Sequence, residues 1–173
     1  MTTPPRPGAG SGPDSHQDSD VAGPRRGAVL GVGVDAVDLA EFADQLAVPG
    51  TRFSGAFSAA ERRQSTERAT ARGGAPGGEG LARHLGVRWA AKEAVVKAWS
   101  TALYAQPPAI TPDELVWSEI ETICDAWGRP NIRLSGDVAE AVAETVSRDC
   151  AWHVSLSHEG NTAIAFVVLA SGE

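Results

Sequence analysis

The sequence predicts an α+β fold in which a small antiparallel sheet packs against a long central helix. Two observations support this prediction. Residues 151–158 and 162–170 carry strand patterns on either side of the short segment EGN, as in a β-hairpin. Residues 81–104 form a long alanine-rich stretch whose charges recur at helical spacing, and this stretch ends at QPPA. Helices and antiparallel strands in this order are typical of the α+β class.

The remaining elements follow from local patterns in chain order. GAVLGVGVD (27–35) has the apolar, β-branched composition of a strand that ends at an acid, and residues 36–46 then show apolar side chains at helical spacing. A second helix is expected over residues 57–71, because Ser58 and Glu61 have the spacing of a capping box. The other predicted elements are a glycine-rich loop at 72–80, hairpin strands at 116–125 and 130–136, and an amphipathic helix at 137–149.

Composition separates a tail from one folded domain. Residues 1–26 are rich in Pro, Gly, Ser and Asp with almost no apolar content, so we expect a disordered N-terminal extension followed by one domain over 27–173. The formal net charge of −7 argues against a nucleic-acid-binding protein, which would need a basic face. No apolar run is long enough to span a membrane. Cys124 and Cys150 have neither metal-ligand nor disulfide-framework spacing, which predicts buried thiols in a reducing cytoplasm.

The segment GVGVD contains the first candidate functional residue. Gly31, Gly33 and Ala36 fit a degenerate dinucleotide-binding fingerprint between a strand and a helix. That fingerprint also requires a second parallel strand ending in an acid about 20 residues later, and TRFSGAFSAAE has no strand pattern. We therefore reject the dinucleotide interpretation. Asp35 remains as a buried carboxylate that needs a partner, either as a helix cap or as a metal ligand.

The stretch RWAAKEAVVKAW carries four charges in two narrow stripes. Glu93 and Lys97 share one stripe, and Arg88 and Lys92 share another on nearly the opposite side of the predicted helix. One interpretation is an ordinary solvated Glu–Lys pair. If Glu93 instead converges with Asp35, two oxygen donors would suit Mg²⁺ completed by water and phosphate oxygens. Lys97 would then supply positive charge to the same phosphates.

The strand HVSLSH contains the third candidate site. Alternation puts His153, Ser155 and Ser157 on one face, with Val154 and Leu156 on the other. One imidazole and two hydroxyls would suit a phosphate or a ribose. An ordinary solvent-facing strand has the same alternation, so both interpretations stay open.

Together, in this order and at these spacings, the segments resemble the holo-[acyl-carrier-protein] synthase family, the small, trimeric 4′-phosphopantetheinyl transferases. The matching segments are GVGVDAVDLAEF, FSAAE, RWAAKEAVVKAW, DAWGRPNIRLSG and HVSLSHEGNTAIAFVVL. They cover nearly all of residues 27–173. The WGRP turn and the AAKEAVxKAW motif most resemble those of actinobacterial members. The resemblance implies the 4′-phosphopantetheinyl transferase fold as a homotrimer. It also implies transfer of 4′-phosphopantetheine from coenzyme A to a serine of apo-acyl carrier protein, in fatty acid biosynthesis, with release of adenosine 3′,5′-bisphosphate.

The resemblance also implies roles for individual residues. Asp35 and Glu93 match the Mg²⁺ ligands of the family, and Lys97 matches the lysine beside the pyrophosphate, so these three are the expected catalytic residues. Glu93, or a water that it orients, is the candidate base for the serine hydroxyl. The residues that match the coenzyme A nucleotide site are Arg88, Gly128, Arg129, Pro130, His153 and Ser155.

The chain departs from the family on the helix after Asp35. Well-known members carry an arginine there that meets the acidic carrier protein, whereas this chain has Glu41. The remaining basic candidates for carrier docking are Arg52, Arg62 and Arg63. The alternative to an enzyme is a non-catalytic module that binds a nucleotide or a carrier protein, and such a module would have no need of paired carboxylates at a phosphate site.

Overall fold

The first strand is followed by three helices, a hairpin, a fourth helix and a final hairpin. The computed structural model describes residues 27–71, 73 and 77–172, so the extension at 1–26 and part of the loop at 72–80 lie outside the described residues. The elements are β1 (Val29–Asp38), α1 (Leu39–Ala47), α2 (Ala59–Ala71), α3 (Glu79–Ala102), β2 (Ile120–Cys124), β3 (Pro130–Leu134), α4 (Gly136–Thr145), β4 (Ala151–Glu159) and β5 (Thr162–Ala170), with short 3₁₀ turns at Arg52–Ser54 and Trp117–Glu119.

Two antiparallel sheets flank the long helix. One sheet has the strand order β1-β5-β4, so that Phe166 in the middle strand pairs with Val34 on one side and Ser155 on the other. The second sheet is the hairpin β2–β3. The predicted α+β class, the two hairpins and the long central helix are confirmed. Within the part of the chain that the structure describes, no helix has the length and apolarity needed to cross a bilayer.

The first strand does not end where the sequence predicted. We expected it to stop at Asp35, but β1 continues to Asp38, because residues 36–38 stay paired with residues 162–164 of β5. The residue that caps α1 is Asp38, whose Oδ1 accepts hydrogen bonds from the backbone N–H groups of Ala40 and Glu41, both at 2.9 Å. The cap interpretation of Asp35 is therefore wrong, and Asp35 lies inside a strand.

The two glycines of GVGVD bring β1 against α3. A Cβ at Gly31 would collide with the backbone carbonyl oxygen of Ala98, and a Cβ at Gly33 would collide with that of Ala94. Ala94 and Ala98 are fully buried at this contact. Glycine in the strand and alanine in the helix therefore allow the two backbones to approach closely. This contact, and not a dinucleotide site, explains the glycines of GVGVD.

The capping box predicted for α2 is present. Ser58 Oγ accepts a hydrogen bond from the backbone N–H of Glu61 at 3.2 Å, and Glu61 Oε2 accepts one from the backbone N–H of Ser58 at 3.0 Å. These reciprocal bonds satisfy donors at the start of the helix that have no partner within it.

Glu61 also forms a buried ion pair that the sequence did not reveal. Its side chain and that of Lys92 are both fully buried, with Lys92 Nζ 2.8 Å from Glu61 Oε2. Lys92 Nζ also donates to the backbone carbonyls of Trp117 and Ile120, and the other Glu61 oxygen accepts from the backbone N–H of Thr122. Burial lowers the pKa of Lys92, and the charge of Glu61 opposes that shift. The pair therefore fastens α2 and β2 to α3.

The close approach of β1 to α3 generates a stability prediction. We expect Gly33→Ala to lower the free energy of unfolding by about 1–3 kcal/mol, because the added methyl group must displace the backbone of α3. The Tm should fall by about 2–4 °C for each kcal/mol lost. Gly55→Ala is the matched control, since Gly55 has φ −102° and no atom within 4 Å of the added methyl. Equal stability of both variants in denaturant unfolding would contradict this account of the contact.

Candidate active site

Asp35 and Lys97 meet at the contact between β1 and α3. Lys97 Nζ lies 2.7 Å from Asp35 Oδ1 and also donates to the backbone carbonyl of Val34 at 3.2 Å. The Asp35 side chain is 14% exposed and that of Lys97 is 50% exposed. Lys97 is therefore drawn across to the strand and does not form an isolated pair with Glu93 on a solvated helix face.

Glu93 completes this cluster from the preceding turn of α3. Its pKa is raised first by partial burial and second by the negative charge of Asp35, while Lys97 and Arg52 act in the opposite direction. Two carboxylates that repel each other in a half-buried site form a place where a cation would be stabilised. The convergence of Asp35, Glu93 and Lys97 that the sequence predicted is present. Among the described residues, however, no group of three or more His, Cys, Asp or Glu side chains could hold a metal ion.

The three arginines considered for carrier docking differ in their surroundings. Arg52 is exposed, with its guanidinium 4.9 Å from the ring centre of Phe53 and 5.7 Å from that of Trp89. Arg62 is half-buried and donates to backbone carbonyls of the Phe53–Phe57 segment. Arg63 is exposed and has only a loose contact of 3.9 Å with Glu67. Arg62 therefore holds its own segment together, and Arg52 and Arg63 present their charge to solvent.

A cavity of about 380 Å³ lies between α2, α3, the β2–β3 turn and the end of β4. It contains a group of cationic and ring-nitrogen side chains in a chain whose net charge is −7. Such a concentration of positive charge in a concave site favours an anionic ligand. The residues that line it are Arg68, His84, Val87, Arg88, Cys124, Gly128, Pro130, Leu156, Ser157 and His158.

Arg88 is the most buried cation of this cavity, with 4% of its surface exposed. Its two terminal nitrogens donate to the backbone carbonyl of His84 at 3.1 Å and to Gln64 Oε1 at 3.4 Å, while its buried Nε has no hydrogen-bond partner among the described residues. Burial lowers the pKa of Arg88, against the opposing influence of Cys124 and Glu61. A buried guanidinium with an unused donor is suited to binding an anion.

The Gly128-Arg129-Pro130 turn contributes to the cavity only in part. Gly128 and Pro130 line it, and Gly128 has φ +88°, a left-handed conformation that favours glycine. Arg129 does not line the cavity, because Arg129 Nε lies 2.6 Å from Asp125 Oδ2 and its guanidinium stacks over the ring of Trp127.

Of the three polar β4 residues expected on one face, Ser157 lines the cavity, whereas His153 and Ser155 do not. The predicted alternation is present: His153 and Ser155 are exposed, whereas Val154 and Leu156 are half-buried. The cavity takes Ser157, and in addition His158, from the end of the strand. His158 Nδ1 lies 3.1 Å from Arg83 Nη2, which adds a further cation at the rim.

Sequence reasoning missed two residues that line the cavity and one buried ion pair. Arg68 and His84 lie on helices at positions that no motif distinguishes, and they reach the cavity only because α2 packs on α3. Lys92 was assigned to the same stripe as Arg88, yet it is fully buried against Glu61. The sequence contains one sign that Lys92 is buried. Arg88 and Lys92 are spaced i,i+4 in a stretch with too few polar residues to form a solvated helix face.

The raised pKa of Glu93 generates a prediction about stability and pH. The folded protein binds this proton more tightly than the unfolded chain, so the favourable contribution is complete below the ordinary carboxyl pKa and is lost as pH rises through the raised value. In buffer with a chelator, we expect Glu93→Gln to match the original protein at acidic pH and to be more stable at neutral pH. Glu140→Gln, at an exposed position of α4, is the control. No gain at neutral pH would show that neither partial burial nor the charge of Asp35 disfavours ionised Glu93 in the folded protein.

Comparison with known proteins assigns the fold and the sequence to one family. A family model described as the 4′-phosphopantetheinyl transferase superfamily matches residues 31–167. The holo-[acyl-carrier-protein] synthases of Mycolicibacterium paratuberculosis and Mycobacterium ulcerans are 45% and 43% identical to this chain over 141 residues, which is 82% of this chain and 96% of each relative.

Solved structures agree with this assignment. The Chronobacterium ammoniagenes ACPS-CoA complex superposes with a TM-score of 0.73 at 40% identity, covering 83% of this chain and 98% of that chain. The acyl carrier protein synthase of Mycobacterium tuberculosis superposes with a TM-score of 0.61 at 39% identity, covering 83% of this chain and 99% of that chain. The chain therefore belongs to the 4′-phosphopantetheinyl transferase superfamily.

Proposed function

We propose that this protein is a holo-[acyl-carrier-protein] synthase of the cytoplasm that serves fatty acid biosynthesis. It transfers 4′-phosphopantetheine from coenzyme A to a serine hydroxyl of apo-acyl carrier protein and releases adenosine 3′,5′-bisphosphate. The single observation that carries this proposal is the convergence of Asp35, Glu93 and Lys97 in a member of this superfamily. The synthase relatives and the relative solved with CoA support the same reaction.

The donor set at this site fits Mg²⁺. Asp35 and Glu93 supply hard carboxylate oxygens. Partial burial and, second, the charge of Asp35 raise the pKa of Glu93, and a bound cation would offset that second contribution. Two protein carboxylates are enough for a magnesium ion, which usually retains waters and takes further oxygens from substrate phosphates. When bound there, Mg²⁺ supplies positive charge that stabilises the pyrophosphate during transfer.

The side chains of the chain itself account for the remaining chemistry. The serine oxygen of the carrier attacks the phosphorus that bears pantetheine, and the bond from that phosphorus to the oxygen bridging to the adenosine-side phosphate breaks. Glu93, or a water that it orients, accepts the serine proton as the new bond to phosphorus forms. Lys97, half exposed and already held by Asp35, donates to the phosphate oxygens and stabilises the leaving group.

The cationic cavity is the proposed site for the nucleotide end of coenzyme A. Arg68, Arg88 and His158 supply positive or hydrogen-bonding groups for phosphate, while Pro130 and Leu156 supply apolar surface for a base. Arg88, Gly128 and Pro130 thus keep the role that the family resemblance implies. In this proposal, Ser157 and His158 of the same protomer contact the nucleotide end of coenzyme A. This is the role that the resemblance implied for His153 and Ser155.

The two parts of the proposed site face different directions. Arg88 and Glu93 are five residues apart on α3, which separates their side chains by about 140° around the helix axis. The cavity and the carboxylates therefore lie on different faces of α3, and coenzyme A that contacts the cavity of one protomer and the carboxylates of another would join two protomers. This supports the expected homotrimer, with each active site shared between two copies.

The outer face of the β1-β5-β4 sheet supports the same assembly. Val32, Val34, Ile164 and Phe166 are neighbours across these strands and are 44%, 55%, 43% and 47% exposed. A contiguous apolar face of this kind is typical of an interface between subunits. His153 and Ser155 belong to the same face, so in a trimer they would lie close to a neighbouring copy.

A shared active site can be tested by complementation between subunits. We expect Glu93→Ala and His158→Ala each to be defective alone and to recover activity when co-expressed, because some interfaces then combine an intact half from each chain. Random assembly should restore about a quarter of the active sites. Purely additive activity in the mixture, measured at coenzyme A concentrations below KM, would mean that each site lies within one protomer.

The reaction itself is tested by intact mass spectrometry of apo-carrier proteins incubated with coenzyme A and Mg²⁺. We expect addition of one phosphopantetheine group, and a loss of rate of at least about 100-fold in Asp35→Ala, Glu93→Ala and Lys97→Ala. Mg²⁺ should raise the Tm of the original protein and of Lys97→Ala, but not of the two carboxylate variants, because only these lose metal ligands. Glu140→Ala is the control.

The outcomes separate the enzyme from the alternative module. No modification of any of several carriers, in an assay where a known synthase is active, would favour a non-catalytic module that binds a nucleotide or a carrier protein. Full activity of Asp35→Ala or Glu93→Ala at low Mg²⁺ would refute the metal assignment.

Carrier docking is proposed for two exposed arginines, Arg52 and Arg63. Carrier proteins are acidic, so a chain of net charge −7 needs a local positive surface to meet them. Arg52 and Arg63 offer such a surface, whereas Glu41 on α1 is exposed and negative. Arg62 donates to three backbone carbonyls and is less suited to this role.

Charge reversal tests this docking surface. Arg63→Glu should raise the KM for carrier protein and leave the KM for coenzyme A unchanged, with an effect that weakens at high salt. Arg52→Glu should likewise raise the KM for carrier protein. Glu41→Arg should improve the use of acidic carriers, and Arg148→Glu, an exposed reversal after α4, is the control. Unchanged kinetics in both reversals, together with impaired Glu41→Arg, would move docking to another surface.

A further inference from the structure

Cys124 is a thiol in the cationic cavity that the proposed transfer reaction does not use. It is the last residue of β2, is half-buried, and lines the cavity together with Arg68 and Arg88. The chain has one other cysteine, Cys150, which is also half-buried but lines a separate cavity beside α4. The chain therefore offers two thiols of similar exposure in different surroundings.

Gln64 holds Cys124 and Arg88 at the same place in the cavity. Gln64 Oε1 accepts hydrogen bonds from the backbone N–H of Cys124 at 3.2 Å and from Arg88 Nη2 at 3.4 Å. Gln64 Nε2 donates to the backbone carbonyl of Cys124 at 3.3 Å. Burial lowers the pKa of Arg88, and among the charges that oppose this shift the largest influence is that of Cys124. The thiol and the buried guanidinium are therefore neighbours.

Arg88 gives an independent sign that this part of the cavity takes an anionic ligand. Its surface is 4% exposed, it lines the cavity, and its Nε has no hydrogen-bond partner among the described residues. A buried donor without a partner is costly, and a donor on a cation forms its strongest hydrogen bonds with negatively charged oxygens. An anionic group that satisfies this donor would lie near Cys124.

The carboxylate that follows Cys124 in sequence does not cancel this positive charge. Asp125 Oδ2 lies 2.6 Å from Arg129 Nε, and Asp125 is not among the residues that line the cavity. Arg68, in contrast, lies against the same turn, because a methyl group added at Gly128 would be 3.6 Å from Arg68 Nη2. Among the described residues that line the cavity, none is Asp or Glu. A small molecule that approaches Cys124 through the cavity therefore meets cations.

We propose that Cys124 is a site of reversible modification by disulfides of small anionic thiols, and that this modification closes the cationic cavity to nucleotides. The thiolate Sγ attacks one sulfur of the disulfide, so that a new S–S bond forms to Cys124 and the original S–S bond breaks. Cys124 is oxidised and its proton passes to solvent, while the other half of the reagent leaves as the reduced thiolate. The carboxylates of the attached half would meet Arg68 and Arg88. The loss of nucleotide binding rests on the proposed function of this cavity.

The modification site is tested with two disulfides that differ in charge. Dithiobis(nitrobenzoate) carries two carboxylates, whereas dithiodipyridine is neutral, and each releases a coloured thiol or thione. We expect the ratio of the anionic to the neutral rate to be about tenfold higher in Cys150→Ser, which keeps Cys124, than in Cys124→Ser, which keeps Cys150. The reason is that Cys124 has several cationic neighbours, whereas Arg148 is the single cation among the described residues that line the cavity of Cys150.

Arginine variants show whether the cavity guides the reagent. In the Cys150→Ser protein, Arg68→Gln should lower the ratio of the two rates about threefold or more, because it removes one cation from the cavity. Arg148→Gln, an exposed arginine after α4, is the control in the same protein and should leave the ratio unchanged. Peptide mapping of the original protein, which keeps both thiols, should place the first thionitrobenzoate group on Cys124.

Closure of the cavity is tested on Cys150→Ser protein that carries one thionitrobenzoate group. We expect calorimetric titration to give at least about tenfold weaker binding of adenosine 3′,5′-bisphosphate, and dithiothreitol to restore the original affinity. Transfer in the mass assay should be lost and recovered in the same samples. Cys124→Ser treated with the same reagent is the control and should bind the nucleotide normally.

Three results would overturn the inference. Equal rate ratios at the two cysteines would mean that the cavity does not guide an anionic disulfide. Labelling of the original protein at Cys150 first would mean that Cys124 is the less accessible thiol. Unchanged nucleotide binding after labelling, in a protein whose nucleotide binding Arg68→Gln weakens, would mean that the modification does not close the cavity. Labelling does not require transfer, so a protein that is labelled at Cys124 but modifies no carrier would count against the proposed function alone.

Discussion

The close approach of β1 to α3 is the constraint on which the rest of the site depends. Gly31 and Gly33 have no Cβ to keep the strand from the backbone carbonyls of Ala98 and Ala94. Because the strand lies directly on the helix, the next acid along it, Asp35, reaches Lys97 with a separation of 2.7 Å. GVGVD has the spacing of a nucleotide-binding loop, but its glycines bring β1 into contact with α3.

The buried pair of Glu61 and Lys92 holds the same helix from another side. Two charges removed from water are tolerated because each has several hydrogen-bond partners: Lys92 meets two backbone carbonyls as well as Glu61, and Glu61 also meets Thr122. With α3 fastened to β1 and to α2, its rotation is fixed. One helix can therefore present Arg88 to the cationic cavity and Glu93 to the carboxylate cluster.

The sequence predicted most of the local structure, because the signals involved span only a few residues. The capping box of Ser58 and Glu61, the β4–β5 hairpin and the long helix all follow from spacing within a single segment. The predicted end of β1 was wrong because it, too, rested on a local signal. An acid after an apolar run resembles a strand end, whereas the pairing of residues 36–38 with β5 depends on two distant segments.

By itself, the sequence determined the α+β class and the pattern of chemically competent residues: Asp35, Glu93 and Lys97 in motifs that the family resemblance could interpret. Only the tertiary structure decided which charges face water and which face each other. In the sequence, Lys92 and Arg62 resemble surface cations. In the structure, the side chain of Lys92 is fully buried, and Arg62 donates to the backbone carbonyl of Phe57. The physical reason is that the environment of a charge depends on the segments packed around it, and Glu61 lies 31 positions before Lys92, on another helix.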